Sequence, residues 1–316
     1  MSPIVAPFLI WIFYPFYRRL RVTTSYEYID RRYGQRARFA VSGLFVLARL
    51  GWLGTVIYAP ALALSVVSGL TLGISIALMG LLATFYTVLG GLAADLWTDV
   101  VQFVIMIVGA VWVAWSLVRG VPGGIPGIVD IASASGHLKI VDWHLSLYEM
   151  SGLVVAVSFF FQLLQDYGTD QVTVQRLMAT RSFRGMASAV VFNALTDFFI
   201  VGLLLFIGLG LLAFYQTHPG IVPKTLSGDQ MLPFYIIHNL PDGVSGLIVT
   251  AIFAAAMSSM DSGISSISTV LINDFVKPLR KTSSSESRDL WLARGLTIVL
   301  GVGATLMAFY VSSLGH

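Results

Sequence analysis

Residues 186–214 read MASAVVFNALTDFFIVGLLLFIGLGLLAF, and the only charged residue in this stretch is Asp197. An α-helix needs about 20 apolar residues to cross the hydrocarbon core of a bilayer. The stretch is longer than that, and a soluble protein would have to bury nearly all of these large apolar side chains in its core. We therefore interpret it as a transmembrane helix.

The rest of the chain repeats this pattern. Charged residues and Gly/Pro clusters separate eight apolar blocks, which we predict to be membrane spans: 3–17, 39–68, 71–89, 95–118, 148–175, 186–214, 244–274 and 295–313. Only 11% of the 316 residues are charged, whereas soluble domains have about 25%. The sequence therefore predicts an all-α, polytopic transmembrane bundle of about eight helices, which forms one domain over residues 1–316.

Basic residues are concentrated in three loops. Residues 18–38, 176–184 and 277–294 hold 15 of the 19 Lys and Arg residues. These loops fall on one side if each span crosses once, and the side rich in Lys and Arg is the cytoplasmic one. We therefore predict a plasma-membrane protein with these loops in the cytoplasm. The basic residues form no stripe with interleaved aromatics, so nucleic acid is not an expected partner.

Charged residues inside the predicted spans are costly, so each is a candidate for function. Apart from residues at the span ends, they are Arg49, Asp99, Asp166, Asp197 and Asp261, with Asp170 near a boundary. Arg49 lies well inside the second span, where it could bind an anionic group of a solute or pair with one of the aspartates. For Asp99 and Asp197, a role in helix packing or at a helix end explains the residue equally well.

The fifth span, residues 148–175, contains a polar run. Its apolar first half gives way to Gln165, Asp166 and Tyr167 and then to further polar residues. Such a run is tolerated at membrane depth where a helix is broken and lines a cavity. Alternatively, the helix ends at Leu164 and the run is a cytoplasmic loop. Both interpretations fit the residues.

The seventh span, residues 244–274, is rich in hydroxyl groups. Ala255 precedes Ser258 by three residues and Ser259 by four, so the three share one helix face. A hard cation prefers oxygen ligands, and two hydroxyls with the carbonyl oxygen of Ala255 would supply three. A partly unwound partner helix would supply the rest. The alternative is close helix packing, which small residues permit.

Four motifs stand out along the chain. Residues 24–34 read TSYEYIDRRYG, residues 90–102 read GGLAADLWTDVVQ, and residues 170–176 read DQVTVQR. Residues 254–274 carry an A-x-x-S-S core and end in an aspartate. In kind and order, these stretches resemble the signature motifs of the sodium:solute symporter family. Residues 57–64, IYAPALAL, are similar to a stretch in the branch that carries iodide, monocarboxylates and vitamins.

The resemblance implies a five-plus-five inverted-repeat bundle of the leucine-transporter type. The eight predicted spans then correspond to core helices two to nine. The first core helix, which is broken and supplies the other half of the sodium site, would precede Met1, and the tenth would follow the last span. We therefore expect the sequence to be a fragment of a longer transporter.

The resemblance also implies roles in sodium binding. The sodium ligands correspond to Ala255, Ser258 and Ser259, with Ala255 contributing its backbone carbonyl oxygen. Asp99 corresponds to the acidic residue below the sodium site that guides ion release. Sodium is then the coupling ion, and no other cofactor is expected.

A solute site is implied in the same way. The run Gln165, Asp166 and Tyr167 falls where the broken sixth core helix meets the solute and the inner gate. Some sugar carriers have an aromatic residue at the position of Asp166, which argues against a sugar. Arg49 would suit a carboxylate anion. The predicted function is sodium-coupled symport of a small organic solute across the lipid bilayer by alternating access.

Three other functions compete with this prediction. A membrane sensor built on the same bundle would need a signalling domain, and the predicted inner loops are too short to hold one. A membrane enzyme would have to use the aspartates, because the spans hold no histidine and the chain has no HExxH or GxSxG motif. A channel would show a repeated filter loop, and nothing here resembles one. The sensor remains the main alternative.

Overall fold

The computed structural model describes residues 2–20, 24–89, 92–138, 151–178, 180, 182–221, 228–279 and 286–314. Every regular element in these ranges is a helix, as the all-α prediction requires. Gly90 and Gly91 of the second motif lie outside the described residues. So do parts of the three basic loops, namely residues 21–23, 179, 181 and 280–285.

Fourteen α-helical segments occur in the described chain. They are α1 (Ser2–Phe8), α2 (Tyr14–Leu20), α3 (Glu27–Tyr33), α4 (Gln35–Ser68), α5 (Leu72–Leu89), α6 (Leu92–Gly120), α7 (Gly124–Ala134), α8 (Gly152–Gly168), α9 (Gln171–Met178), α10 (Phe183–Thr217), α11 (Gly228–Asn239), α12 (Asp242–Val270), α13 (Lys277–Leu279) and α14 (Glu286–Leu314). Two π-helical turns, Leu9–Phe13 and Leu271–Val276, join α1 to α2 and α12 to α13.

Six stretches of the described chain are long and apolar enough to cross a membrane. They are Gln35–Ser68, Leu72–Leu89, Asp99–Gly120, Phe183–Thr217, Asp242–Leu279 and Leu290–Leu314. Each coincides with one of the predicted spans. Backbone N–H and C=O groups find no partner in lipid, so an apolar run that crosses the membrane folds as a helix. The protein is therefore a multi-pass membrane protein.

The other two predicted spans are interrupted helices. The first, 3–17, runs from Ser2 to Leu20 through a π-helical turn. The fifth forms α8 and α9, with a break between them, and its first residues, 148–150, lie outside the described chain. The interpretation in which the helix ends at Leu164 is wrong, because α8 continues for one more turn to Gly168.

The helices divide into two compact units. The first unit comprises residues 1–19 and 107–241, and the second unit comprises residues 20–106 and 242–316. Each unit contains a core of buried apolar side chains.

In the second unit, α4, α5, α12 and α14 pack around one core. Its fully buried members include Leu53, Ile76, Ile264 and Ala304. Glycines bring the helices close together: a Cβ atom on Gly80 would lie 2.1 Å from Oγ1 of Thr305, and one on Gly301 would lie 2.2 Å from Oγ1 of Thr84. Membrane helices associate through such small residues, because apolar side chains gain little by leaving lipid for protein.

We expect Gly80→Ala to lower the melting temperature of the purified protein. The new Cβ would also lie 2.9 Å from Cβ of Thr305, and a β-branched side chain in a helix has little freedom to rotate away. Overpacking of this kind costs about 1–3 kcal/mol. Gly51→Ala on α4 is the control, because a Cβ there meets nothing within 4 Å. Equal melting temperatures for the two variants would contradict the close packing of α5 on α14.

In the first unit, α1, α8 and α10 share a core that includes Leu9, Tyr14 and Met186. A separate cluster joins α6, α10 and α11. There the ring of Phe214 packs edge-on against Tyr235 with the ring centres 5.0 Å apart. The hydroxyl of Tyr235 shares a hydrogen bond of 2.9 Å with that of Ser116. Tyr235 therefore packs α11 against both α6 and α10.

A buried ion pair ties together the ends of three elements in the second unit. Asp274, in the π-helical turn after α12, has no exposed surface, and Arg38 of α4 is 8% exposed. The carboxylate of Asp274 accepts hydrogen bonds from Arg38 at 2.5 Å, from Thr24 at 2.9 Å and from Ser42 at 2.6 Å. Arg38 also pairs with Asp30 of α3 at 3.0 Å. We call these five residues the Arg38 cluster.

Candidate functional site

The two faces of α12 lie in different surroundings. Its core-facing residues are Ala256, Met260, Ile264 and Ile267. Ala255, Ser258 and Ser259 are instead only half-buried. The three predicted sodium ligands therefore share a helix face outside the apolar core.

The structure places Asp99 next to this face. The hydroxyl of Ser258 donates a hydrogen bond to the carboxylate of Asp99, which lies on α6 and is half-buried. The two residues are 159 positions apart in the sequence, and both belong to the second unit. A carboxylate beside a pair of hydroxyls is a set of hard oxygen donors, the kind that hard cations take as ligands.

A second carboxylate lies one helical turn further along α12. Asp261 follows Ser258 by three residues and is 5% exposed. Ser262, the next residue, donates its hydroxyl hydrogen to the carbonyl oxygen of Ser259 at 3.2 Å. The sequence indicated Asp261 only as an intramembrane charge, and the structure buries it on the helix that carries the hydroxyl pair.

Arg49 lies on α4 in the second unit and is half-buried. Its guanidinium carbon is 4.0 Å from the centre of the Trp52 ring, three residues further along the same helix. A cation over the face of a tryptophan is attracted by the ring quadrupole, so Trp52 helps to fix the guanidinium plane. Sequence reasoning missed Trp52, although a cation and an aromatic three residues apart on a helix could have indicated the pair.

The polar run at the end of α8 is a broken helix. The N–H groups of Thr169 and Asp170 both donate to the carbonyl oxygen of Gln165, at 2.9 and 3.1 Å, and α8 stops there. The carboxylate of Asp170 then accepts from the N–H of Val172 at 2.9 Å. An aspartate in this position caps the start of a helix, so Asp170 begins α9. The broken-helix interpretation is thus the one that the structure supports.

Tyr167 is the centre of a polar group beside this break. Its carbonyl oxygen, at the end of α8, accepts a hydrogen bond of 3.2 Å from the hydroxyl of Tyr14. Its own hydroxyl donates to Asp197 of α10 at 2.6 Å. These two bonds join three elements of the first unit at the end of α8. Sequence reasoning had left Asp197 without a partner and had not considered Tyr14.

A cavity of about 300 Å³ adjoins this group. Tyr14, Tyr167, Thr173 and Asn193 supply its polar lining, and apolar residues supply the rest. Of the three predicted solute residues in this run, Tyr167 lines the cavity. Gln165 is exposed and Asp166 is half-buried. These three belong to the first unit, whereas Arg49 and the sodium-ligand face belong to the second.

Comparison with known proteins identifies the family. The family model described as the sodium:solute symporter family matches residues 2–315. The chain belongs to the sodium:solute symporter family. The resemblance carried by the four motifs is therefore confirmed.

Individual relatives within the sodium:solute symporter family are transporters. The sodium/sialic acid symporter SiaT of Proteus mirabilis is 32% identical over 308 residues, which are 97% of this chain and 62% of that protein. Sodium-coupled monocarboxylate transporter 2 of Mus musculus is 32% identical over 311 residues, which are 96% of this chain and 49% of that protein. The chain thus spans 49% to 62% of the length of these relatives. A sensor built on the same bundle is not favoured.

A solved structure from this family has the same fold. It is the substrate-bound, outward-open state of a Na+-coupled sialic acid symporter. It matches with a TM-score of 0.92 at 30% sequence identity, over 98% of this chain and 67% of that one. The predicted class of a polytopic helix bundle is therefore confirmed.

Proposed function

We propose that this symporter-family protein couples the downhill entry of sodium to the uptake of a small organic solute. The observation that carries the proposal is the hydrogen bond between Ser258 and Asp99, on the helix face that also holds Ala255 and Ser259. Family membership explains why these oxygens are gathered inside a membrane protein, where a carboxylate is otherwise costly.

In this proposal, sodium is bound by the hydroxyls of Ser258 and Ser259 and the carbonyl oxygen of Ala255. Asp99 receives the ion when it leaves towards the cytoplasm. The carboxylate of Asp99 already contacts the hydroxyl of Ser258. A sodium ion that moves from Ser258 to Asp99 therefore always has an oxygen ligand, which avoids the cost of an unliganded ion in an apolar environment. The membrane potential adds roughly 2.3 kcal/mol per charge per 100 mV to the driving force.

We propose a carboxylate anion as the solute class. Guanidinium groups bind carboxylates through two parallel hydrogen bonds, and stacking on Trp52 limits the orientations that Arg49 can take. Sialic acid and monocarboxylates, the solutes named for two relatives, are both carboxylic acids. Gln165, Asp166 and Tyr167, at the end of α8, are further proposed solute-binding residues.

Arg49→Gln is expected to weaken the uptake of an anionic solute by about tenfold or more, and that of a neutral analogue much less. A charge-assisted hydrogen bond is about twice as strong as a neutral one, so losing the charge penalises the anion selectively. Concentration dependence of initial uptake rates, measured for a carboxylate and for its amide, checks this. Trp52→Leu is the companion variant and should affect the same solute more weakly. Equal effects on both solutes would assign Arg49 to helix packing.

The proposed location is the plasma membrane, with loops 18–38, 176–184 and 277–294 in the cytoplasm. The enrichment of these loops in Lys and Arg supports this orientation. Sodium and solute would then enter through alternating access, in which sodium binding favours the conformation that also binds the solute.

Sodium-dependent uptake tests the proposed function. The protein is reconstituted in vesicles and offered radiolabelled carboxylates with an inward gradient of either sodium or choline. We expect uptake only with sodium, and we expect an inside-negative potential to increase it. A preceding screen would record which carboxylates raise the melting temperature in sodium but not in choline. Uptake that is equal in both salts would refute the proposal.

A further inference from the structure

An exposed basic surface surrounds the turn between α3 and α4. Arg31 and Arg32 lie near the end of α3, and Arg36 lies in the first turn of α4, all three exposed. Gly34 makes the turn between the two helices, with a φ of +83° that only glycine adopts readily. Three cationic side chains are therefore presented within six residues of chain.

The acidic residues of the same segment do not neutralise this surface. The carboxylate of Asp30 is paired with Arg38 at 3.0 Å, and a carboxylate oxygen of Glu27 accepts from the N–H of Thr24 at 3.3 Å. No carboxylate among the described residues pairs with Arg31, Arg32 or Arg36. The carboxylate of Asp30 is thus paired within the Arg38 cluster, and the basic surface keeps its positive charge.

Two arginines of the basic surface hydrogen-bond to neutral groups. Arg31 donates to the carbonyl oxygen of Leu20 at 3.1 Å, and Arg32 donates to the hydroxyl of Tyr28 at 2.9 Å. The hydrogen bond to Tyr28 raises the pKa of Arg32 above its already high value. These bonds position two guanidinium groups and leave their charge in place.

The length of α4 places the basic surface at the edge of the membrane. With 34 residues, α4 is about 51 Å long at 1.5 Å per residue, whereas the hydrocarbon core is about 30 Å thick. The polar first turn of α4 therefore extends beyond the core, to the level of the lipid head groups. Tyr33, which is 64% exposed, belongs to a residue type that is enriched at this level.

We propose that Arg31, Arg32 and Arg36 form a binding surface for the head groups of anionic phospholipids in the leaflet next to α3. Guanidinium groups bind phosphate oxygens through paired, charge-assisted hydrogen bonds. An anionic leaflet attracts basic side chains that lie at its surface. Lipid binding would hold α3, and with it the Arg38 cluster, at a fixed depth in the membrane.

The test compares lipid binding by the purified, delipidated protein and a triple variant, Arg31→Gln with Arg32→Gln and Arg36→Gln. Binding of fluorescent phosphatidylglycerol and phosphatidylcholine is measured in a neutral detergent. We expect the triple variant to bind phosphatidylglycerol at least about tenfold more weakly, because each basic residue near an anionic surface contributes to the attraction. Binding of phosphatidylcholine should not change.

A second triple variant controls for net charge. Arg119, Arg184 and Arg294 are exposed as well, and their replacement by Gln removes the same charge from separate sites. This control should bind phosphatidylglycerol as the unmodified protein does. If the first triple variant fails to fold, the single variant Arg36→Gln replaces it in the test. This single variant should bind phosphatidylglycerol about threefold more weakly. Undiminished binding by the first variant, an equal loss in the control, or displacement of the lipid by equimolar inorganic phosphate would overturn the proposal.

Discussion

Replacing Ser258 and Ser259 with alanine is expected to raise the half-saturating sodium concentration for uptake by about a hundredfold. The replacement removes two of the three proposed oxygen ligands on α12 and leaves the carbonyl oxygen of Ala255. A hydrogen bond to a charged group contributes about 1.5 kcal/mol or more, and a hydroxyl contact with an ion should be of this order. Two such contacts correspond to about 3 kcal/mol, and about 1.4 kcal/mol is a tenfold change in affinity.

The measurement is the initial uptake rate as a function of sodium concentration, at saturating solute. The control removes two other hydroxyls of α12, with Ser245→Ala and Thr250→Ala. Both of these side chains donate only to carbonyl oxygens three or four residues earlier in the helix, so their loss should leave sodium dependence unchanged. A Ser258/Ser259 variant with a lower maximal rate but the same half-saturating sodium concentration would exclude these hydroxyls as ligands.

Much of the fold could be predicted because lipid leaves a membrane-crossing chain few alternatives. The predicted span 71–89 is α5, Leu72–Leu89, to within one residue. The span predicted at 39–68 begins earlier, at Gln35, since its first turn lies beyond the apolar core and hydropathy carries no signal there. The π-helical turns Leu9–Phe13 and Leu271–Val276 had no sequence signal either, because one extra residue in a turn does not change composition.

The candidate site could be predicted where residues carried a motif. Asp99 and Ser258 were assigned to one sodium path from two separate motifs, and the structure places them in hydrogen-bond contact. The partners of Tyr167 could not be found in this way. Tyr14 is 153 positions away from it, and such a contact depends on how the helices of the first unit pack.

The five residues of the Arg38 cluster show a further limit of sequence reasoning. Asp274 was noted only as the closing aspartate of the fourth motif, and Arg38 only as one of many basic residues in a loop. The Lys and Arg content of residues 18–38 predicted a solvent-exposed loop that includes Arg38. The structure instead buries Arg38 against Asp274. A salt bridge between residues 236 positions apart leaves no periodic signal, so only the packed structure reveals it.

Asp274→Asn is therefore expected to be among the most destabilising single changes in the chain. The amide would leave the buried guanidinium of Arg38 without its closest anion, and it would turn an N–H₂ group towards the donors Thr24 and Ser42. Breaking a buried ion pair by removing one partner costs about 3–5 kcal/mol. For a protein of this size that corresponds to a drop in melting temperature of roughly 10 °C, measured on the purified protein in detergent.

Asp30→Asn is the matched control, since it removes the other carboxylate from Arg38. The side chain of Asp30 is 35% exposed, whereas that of Asp274 has no exposed surface. Water can therefore replace the lost partner at Asp30, and the expected cost is about 1 kcal/mol or less. Combining Arg38→Met with Asp274→Leu should recover a large part of the lost stability, because an apolar pair of similar volume can replace a buried ion pair. Equal drops in melting temperature for the two single variants would contradict the burial of Asp274.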